Sequence, residues 1–360
     1  MTIFNAADNR TPTVDRGRAV VTHHKEAIFR HLIRETEVTF SQGQLIDIRF
    51  LQHLAIHRHK AVAVNRNHIP GDTDDSLEQQ LVLPVEAAQI SLFQSICFTN
   101  KSVTLFLVIV ISVSAIFETI VIALRAMGLA VFLMWVPTIA AIIAGCISQK
   151  ESNGKISFKK LLQSIGFQKT SIKWILLSCL IPAVYIGIPY VLFWIAFPNS
   201  LDMSKASVIQ LVLMSVVGIF IGLITAIGEE IGWRGYLVPA TLERVGIKKA
   251  LIYTSIFWGV WHLPILISGL YMPGTPAWYS VPAFLFMIIP VGMIYGIITI
   301  KTKSIWPAIF LHAAHNTFDQ LIFGTVTVAN NKMFFVSETG IFTIIFAWIV
   351  AVFLYKKCND

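Results

Sequence analysis

An all-α polytopic membrane protein is the fold class this sequence predicts, and three observations predict it. Of its 360 residues, 55% are hydrophobic and only 13% are charged. From Ser102 onward the apolar residues fall into runs of about 20, the length an α-helix needs to cross a bilayer. The lysines and arginines sit between those runs, alternately clustered and sparse, as connections on the two sides of a membrane require. A net charge of +8 would otherwise suggest a nucleic-acid partner. Here the basic residues are spread over short connections rather than gathered on one face, so topology explains them and nucleic acid is not expected as a partner.

Residues 1–100 differ in kind from the rest. They hold seven of the ten histidines (His23, His24, His31, His53, His57, His59 and His68) and near-balanced charge, with little sustained helical or strand periodicity. They read as an irregular, poorly ordered cytoplasmic extension, with Ile69–Asp75 as a turn-rich linker. The histidines are scattered rather than in a tract, which argues against metal buffering. No charged stub followed by a short apolar core opens the chain, so the first span is expected to act as its own signal. Cys97, Cys146, Cys179 and Cys358 show no metal-holding or paired spacing and read as free thiols.

Eight spans are expected, at about 102–124, 126–147, 174–198, 206–229, 250–269, 279–300, 305–323 and 338–356. The first pair turns tightly around Arg125. The 148–173 connection carries Lys150, Lys155, Lys159, Lys160, Lys169 and Lys173, whereas 199–205 has one lysine. Arg244, Lys248 and Lys249 mark the 236–249 connection, and 270–278 has no charge. Lys301 and Lys303 follow, then Lys332 alone, then Lys356 and Lys357. This alternation predicts both termini in the cytoplasm, and residence in the cell membrane is expected. Within the first lysine-rich connection, 158–165 alternates apolar and basic positions at helical spacing and is expected to lie flat on the inner leaflet.

Across residues 102–360 there are nine acidic side chains, so each one at depth asks for a reason. Burying a charge in a bilayer costs several kcal/mol, which makes Glu118, Glu229, Glu230 and Asp319 the candidates for a role. Glu230 and Arg234 stand four apart with the acid first, the favourable order for a helical ion pair, and read as a structural pair orienting their neighbours. Glu229 lies roughly 100° round the same helix without an intrahelical counter-ion, and a spare carboxylate in a dry site is available for proton transfer. His262 falls in the fifth span, and His312 and Asn316 share one face of the seventh. All are expected in the cytoplasmic half of the bilayer, where they could meet. Gly228, Gly232 and Gly235 read as small residues that let helices approach.

Two recipes use this set. A carboxylate beside an imidazole can take a proton from water, while a second imidazole and an amide donate to the oxyanion formed at a peptide carbonyl. No cofactor is required for that. Alternatively Glu229, His262 and His312 supply the ligands of a catalytic zinc, although no short HExxH spacing is present. Other polar residues read more simply: His315 as a packing residue within reach of Asp319, Glu118 as pore-facing or interfacial, and Trp233, Trp258 and Trp261 as packing aromatics.

Glu229-Glu230-x-x-x-Arg234, then Trp258-x-x-x-His262 with Leu263-Pro264, then His312-x-x-x-Asn316, resemble the three ordered motifs of the CAAX prenyl protease and bacteriocin-processing family of intramembrane proteases. The resemblance covers about residues 102–356. It implies an eight-helix core around a cytoplasm-facing cavity, and an endopeptidase acting on a peptide or membrane-protein substrate within the lipid bilayer. By resemblance, Glu229 and His262 activate water, His312 and Asn316 form the oxyanion hole, and Glu230 and Arg234 support the site. The family often has Phe where this chain has Trp258, a change expected to reshape the pocket wall without touching the catalytic groups. Non-catalytic immunity or scaffold proteins and a proton-coupled transporter are the competing classes; the absence of an internal repeat argues against the transporter.

Overall fold

A computed structural model describes residues 98–359. The expectations for residues 1–97 lie outside the described residues. Those that are described form helices and connections, with a single antiparallel bridge between Leu201 and Thr327.

The chain enters α1 (Asn100–Leu124) through Thr99, whose hydroxyl accepts the Ser102 N–H at 3.1 Å and so satisfies one of the orphan donors of the first turn. Its buried stripe of Phe106, Val110, Ser114, Glu118 and Val121 recurs at helical spacing. Arg125, with φ 51°, reverses the chain. Two short turns lead into α2 (Val136–Asn153), and the amphipathic α3 (Phe158–Ser164) follows, with Leu161 buried and Phe158 exposed. α4 (Ile172–Ala196) precedes the long α5 (Val208–Val245), which opens on a reciprocal Ser207–Gln210 capping box. Next come α6 (Ile247–Trp261), α7 (Leu263–Ile267), α8 (Ala277–Thr302), α9 (Trp306–Asn316) and α10 (Ile341–Asn359).

α8 is the central column. Every residue from Pro290 to Ile300 is buried, and the helix packs against α6, α9 and α10. A helix that is apolar and covered on all sides belongs at the core of a bundle. α5 instead packs against α2 and α9 with one side and presents Val208, Ile209, Val212, Leu213, Val216, Val217, Phe220 and Ile221 outward, each 53–73% exposed. Such a ridge suits lipid and not water.

Among the described residues, six helices are long and apolar enough to cross a membrane, where eight spans are expected. The protein is an integral multi-pass membrane protein, and the two other expected spans explain themselves. The fifth divides into α6 and α7 because Pro264 has no N–H to return to the carbonyl four residues earlier, so the helix breaks at His262. The seventh is α9 continued by a wide turn, Thr317–Phe323, and its load of His312, His315, Asn316, Asp319 and Gln320 lowers its apolarity.

The fourth span also departs from expectation: α5 runs on past residue 229 to Val245, through a widened, π-helical stretch at Ile231–Leu237. Every side chain from Gly228 to Ala240 is buried in protein, so the charged motif lies within a continuous helix rather than at its end. The glycines permit it. A Cβ on Gly228 would lie 2.6 Å from the Met134 carbonyl oxygen, and one on Gly235 would lie 2.6 Å from that of Ile165. Gly232 is pressed against Pro137 in the same way.

Candidate active site

The widened turn of α5 carries the two carboxylates in different directions. Glu230 turns into the bundle, where its Oε1 accepts from Arg234 Nη1 at 3.0 Å and from His312 Nδ1 at 2.8 Å. Arg234 is 2% exposed, and its guanidinium carbon lies 4.0 Å from the centroid of Trp258 and 4.8 Å from that of Tyr295. A buried guanidinium is tolerable only with this kind of pairing, a carboxylate at one edge and aromatic faces on its plane. The ion pair expected from the four-residue spacing is therefore formed, and it ties α5 to α9 through His312.

Glu229 points to the other side. Its Oε2 accepts from Trp258 Nε1 at 2.7 Å and from Trp233 Nε1 at 3.3 Å. These tryptophans are not packing residues alone, and Trp258 does touch the candidate carboxylate, contrary to expectation. A phenylalanine at that place would have no N–H to offer.

His262 occupies the break between α6 and α7. Its Nδ1 lies 2.8 Å from the Trp258 carbonyl oxygen, which can only accept, so Nδ1 carries the proton and Nε2 holds the lone pair of the neutral ring. Trp261 meets the ring edge-on with centroids 4.8 Å apart, and Trp261 is itself held by an indole N–H to Ser114 Oγ at 2.8 Å. His312 and Asn316 project from one face of α9, with His312 5% exposed.

Glu229, His262, His312 and Asn316 line one cavity of about 170 Å³, together with Trp258, Tyr295, Tyr271, His315 and Glu338. Among the described residues, no three His, Cys, Asp or Glu side chains come together closely enough to hold one metal ion. Glu229, His262 and His312 line the same cavity, and the two indole N–H groups both fall on Oε2 of Glu229.

A second polar cluster abuts the cavity. His315 does not reach Asp319; its Nε2 faces Glu338 Oε1 at 3.3 Å and its Nδ1 faces the Tyr185 hydroxyl at 2.7 Å. Asp319 instead accepts from Tyr190 at 3.1 Å and from Ser337 at 2.6 Å. Glu338, the first residue of the expected last span and not among the candidates read from sequence, is 4% exposed and takes the Tyr271 hydroxyl on Oε2 at 2.6 Å. Glu118 is buried on α1 outside the cavity lining.

Comparison with known proteins adds an independent line. Residues 209–318 match the family model described as type II CAAX prenyl endopeptidase, Rce1-like. Over 144 residues, 39% of the chain, the sequence is 33% identical to CAAX prenyl protease 2 of Methanococcus maripaludis, and the match spans about half (49%) of that relative's length. All three motifs fall inside the matched family segment, in agreement with the resemblance read from them. Residues 209–318, the segment similar to the Rce1-like type II CAAX prenyl endopeptidases, carry Glu229, Glu230, Arg234, Trp258, His262, His312 and Asn316.

Proposed function

We propose that this protein is an intramembrane endopeptidase that hydrolyses a peptide bond with a water activated by Glu229 and His262. The observation that carries this reading is that Glu229 from α5, His262 from the α6–α7 break, and His312 and Asn316 from α9 line one cavity among membrane-crossing helices. The water gives its proton to the carboxylate as its oxygen attacks the scissile carbonyl, and the lone pair on His262 Nε2 orients that water. Negative charge then builds on the carbonyl oxygen. The amide N–H of Asn316 and the Nε2–H of a doubly protonated His312, whose Nδ1–H is held by Glu230, donate to it. Collapse expels the amine, which takes the proton back from Glu229. Glu230 and Arg234 support this set through His312 and Trp258. No step runs through a metal.

The name of the relative, CAAX prenyl protease, supports a substrate class of C-terminal peptides bearing an isoprenoid on cysteine. The lysine-rich connections support cytoplasmic termini; residence is in the cell membrane, with a peptide or membrane-protein substrate entering from the bilayer or its inner surface. The test is cleavage of a farnesylated four-residue CAAX peptide by the purified protein in micelles, beside a comparison of membrane peptides from cells carrying wild type or Glu229→Gln. Absence of both the cleavage and any difference in peptides would end the protease reading. Dialysis against a zinc chelator is expected to leave turnover unchanged, and a loss restored by added zinc would replace the carboxylate mechanism with a metal one.

Trp258 gives a sharper prediction. Trp258→Phe removes the shorter of the two indole bonds to Glu229, and a hydrogen bond to a charged group is worth about 1.5–3 kcal/mol, so turnover is expected to fall by about tenfold or more. Full turnover in a folded variant would remove Trp258 from the alignment of Glu229.

A further inference from the structure

We propose that Glu338 is a positioning residue that holds His262 in place by way of Tyr271, an inference that rests on the reading of His262 given above. The contact between Nδ1 and the Trp258 carbonyl fixes where that nitrogen sits, and Trp261, edge-on at 4.8 Å, and Phe284, at 5.3 Å, border the ring on other sides. Among the described residues, Tyr271 supplies the one stacked face. The Tyr271 ring lies nearly parallel to that of His262, at an interplanar angle of 28° with centroids 6.0 Å apart. Tyr271 sits in the connection between α7 and α8, where no regular backbone pattern holds it. Its hydroxyl donates to Glu338 Oε2 at 2.6 Å, and the other oxygen of Glu338 faces His315 Nε2 on α9, the helix that carries His312 and Asn316. Glu338 is thus a strut from the His262 wall of the cavity to the opposite wall.

The backbone supplies a second, independent observation. Met272, directly after Tyr271, has φ 51°, and Ser337, directly before Glu338, has φ 67°. Left-handed conformations are uncommon and costly for residues with a Cβ, and they persist where surrounding structure imposes them at sites with a job to do. Both flank the same hydrogen bond. Ser337 is also tied down through its hydroxyl to Asp319 Oδ2 at 2.6 Å, and its Oγ lies 3.8 Å from Met272 Sδ. Two separate connections are bent into strained shapes so that a tyrosine and a carboxylate can meet behind His262.

The experiment uses the full-length protein in detergent micelles and reads histidine reactivity toward diethyl pyrocarbonate by mass spectrometry. Glu338→Ala and Tyr271→Phe are each expected to raise the rate at His262 by about fivefold or more as its ring comes loose, with His312 unchanged. Glu338→Gln is expected to stay near wild type, because its amide oxygen still accepts the Tyr271 hydroxyl. On the farnesylated peptide, the first two variants are expected to lose about tenfold in kcat with little change in KM, the pattern of a misaligned rather than an unbound substrate. Equal His262 reactivity in all four proteins, or a rise at His262 matched at His312, would overturn the proposal. If Glu338→Ala does not accumulate, Tyr271→Phe, which deletes one oxygen, decides by the same criteria. A wild type that neither cleaves the peptide nor differs from Glu229→Gln in membrane peptides overturns the protease reading alone, and the reactivity comparison still decides the role of Glu338.

Discussion

Glu229→Gln is expected to abolish cleavage, by about a thousandfold or more, while the protein inserts, folds and melts like the wild type. The size follows from the loss of both proton transfers assigned to this group, since positioned acid–base catalysis contributes roughly 10²–10⁴-fold. The preserved fold follows from geometry. The amide oxygen of Gln still accepts the indole N–H groups of Trp258 and Trp233, which lie 2.7 and 3.3 Å from the native Oε2. Alanine at the same place is a worse test, because it strands two buried donors at a cost of about 1–3 kcal/mol each and mixes folding with chemistry. The measurement is turnover of the farnesylated peptide beside thermal unfolding of the same preparation. Wild-type turnover in the Gln variant would remove Glu229 from the mechanism, and loss of turnover with loss of folding would leave only a structural role.

The contrast between Glu229 and its neighbour shows what a sequence can and cannot disclose at such a site. The ion pair of Glu230 with Arg234 was readable because four residues of α-helix bring side chains onto one face, and the widened turn at Ile231–Leu237 does not separate them. His312 and Asn316 were readable for the same reason. The same rule failed for His315 and Asp319, which are also four apart. Past Asn316 the helix widens to longer-range hydrogen bonding over Thr317–Phe323, so Asp319 is turned toward Tyr190 and Ser337. That left His315 for Glu338, a partner 23 residues away that no spacing suggests. The tryptophans were hidden differently: an indole in a membrane helix is most simply an interface anchor, and only the fold shows that two of them aim their N–H groups at one carboxylate. Even the break that presents His262 was marked in the sequence by Pro264, but a proline in a membrane helix is common enough that it signalled a kink rather than a site.

Arg234→Ala is expected to do the opposite of Glu229→Gln: to lower the amount of folded protein first, and activity as a consequence. Removing the guanidinium leaves the Glu230 carboxylate, 0% exposed, with His312 as its remaining partner. Breaking a buried pair from one side costs about 3–5 kcal/mol. Lost contact with the faces of Trp258 and Tyr295 adds about 0.5–2 kcal/mol more. Against a total stability of about 5–15 kcal/mol, that is enough to deplete the protein from the membrane. Arg234→Lys is expected to recover only part of the yield, because a compact ammonium keeps the charge but not the planar contact with two rings. Replacing both members, Glu230→Leu with Arg234→Met, removes the uncompensated charge and is expected to restore accumulation more fully than Lys does. It cannot restore turnover, since His312 then loses the acceptor on its Nδ1 at 2.8 Å. Accumulation and melting of Arg234→Ala at wild-type levels would show that the pair carries no structural load, and recovery of activity in the double variant would show that His312 needs no carboxylate behind it.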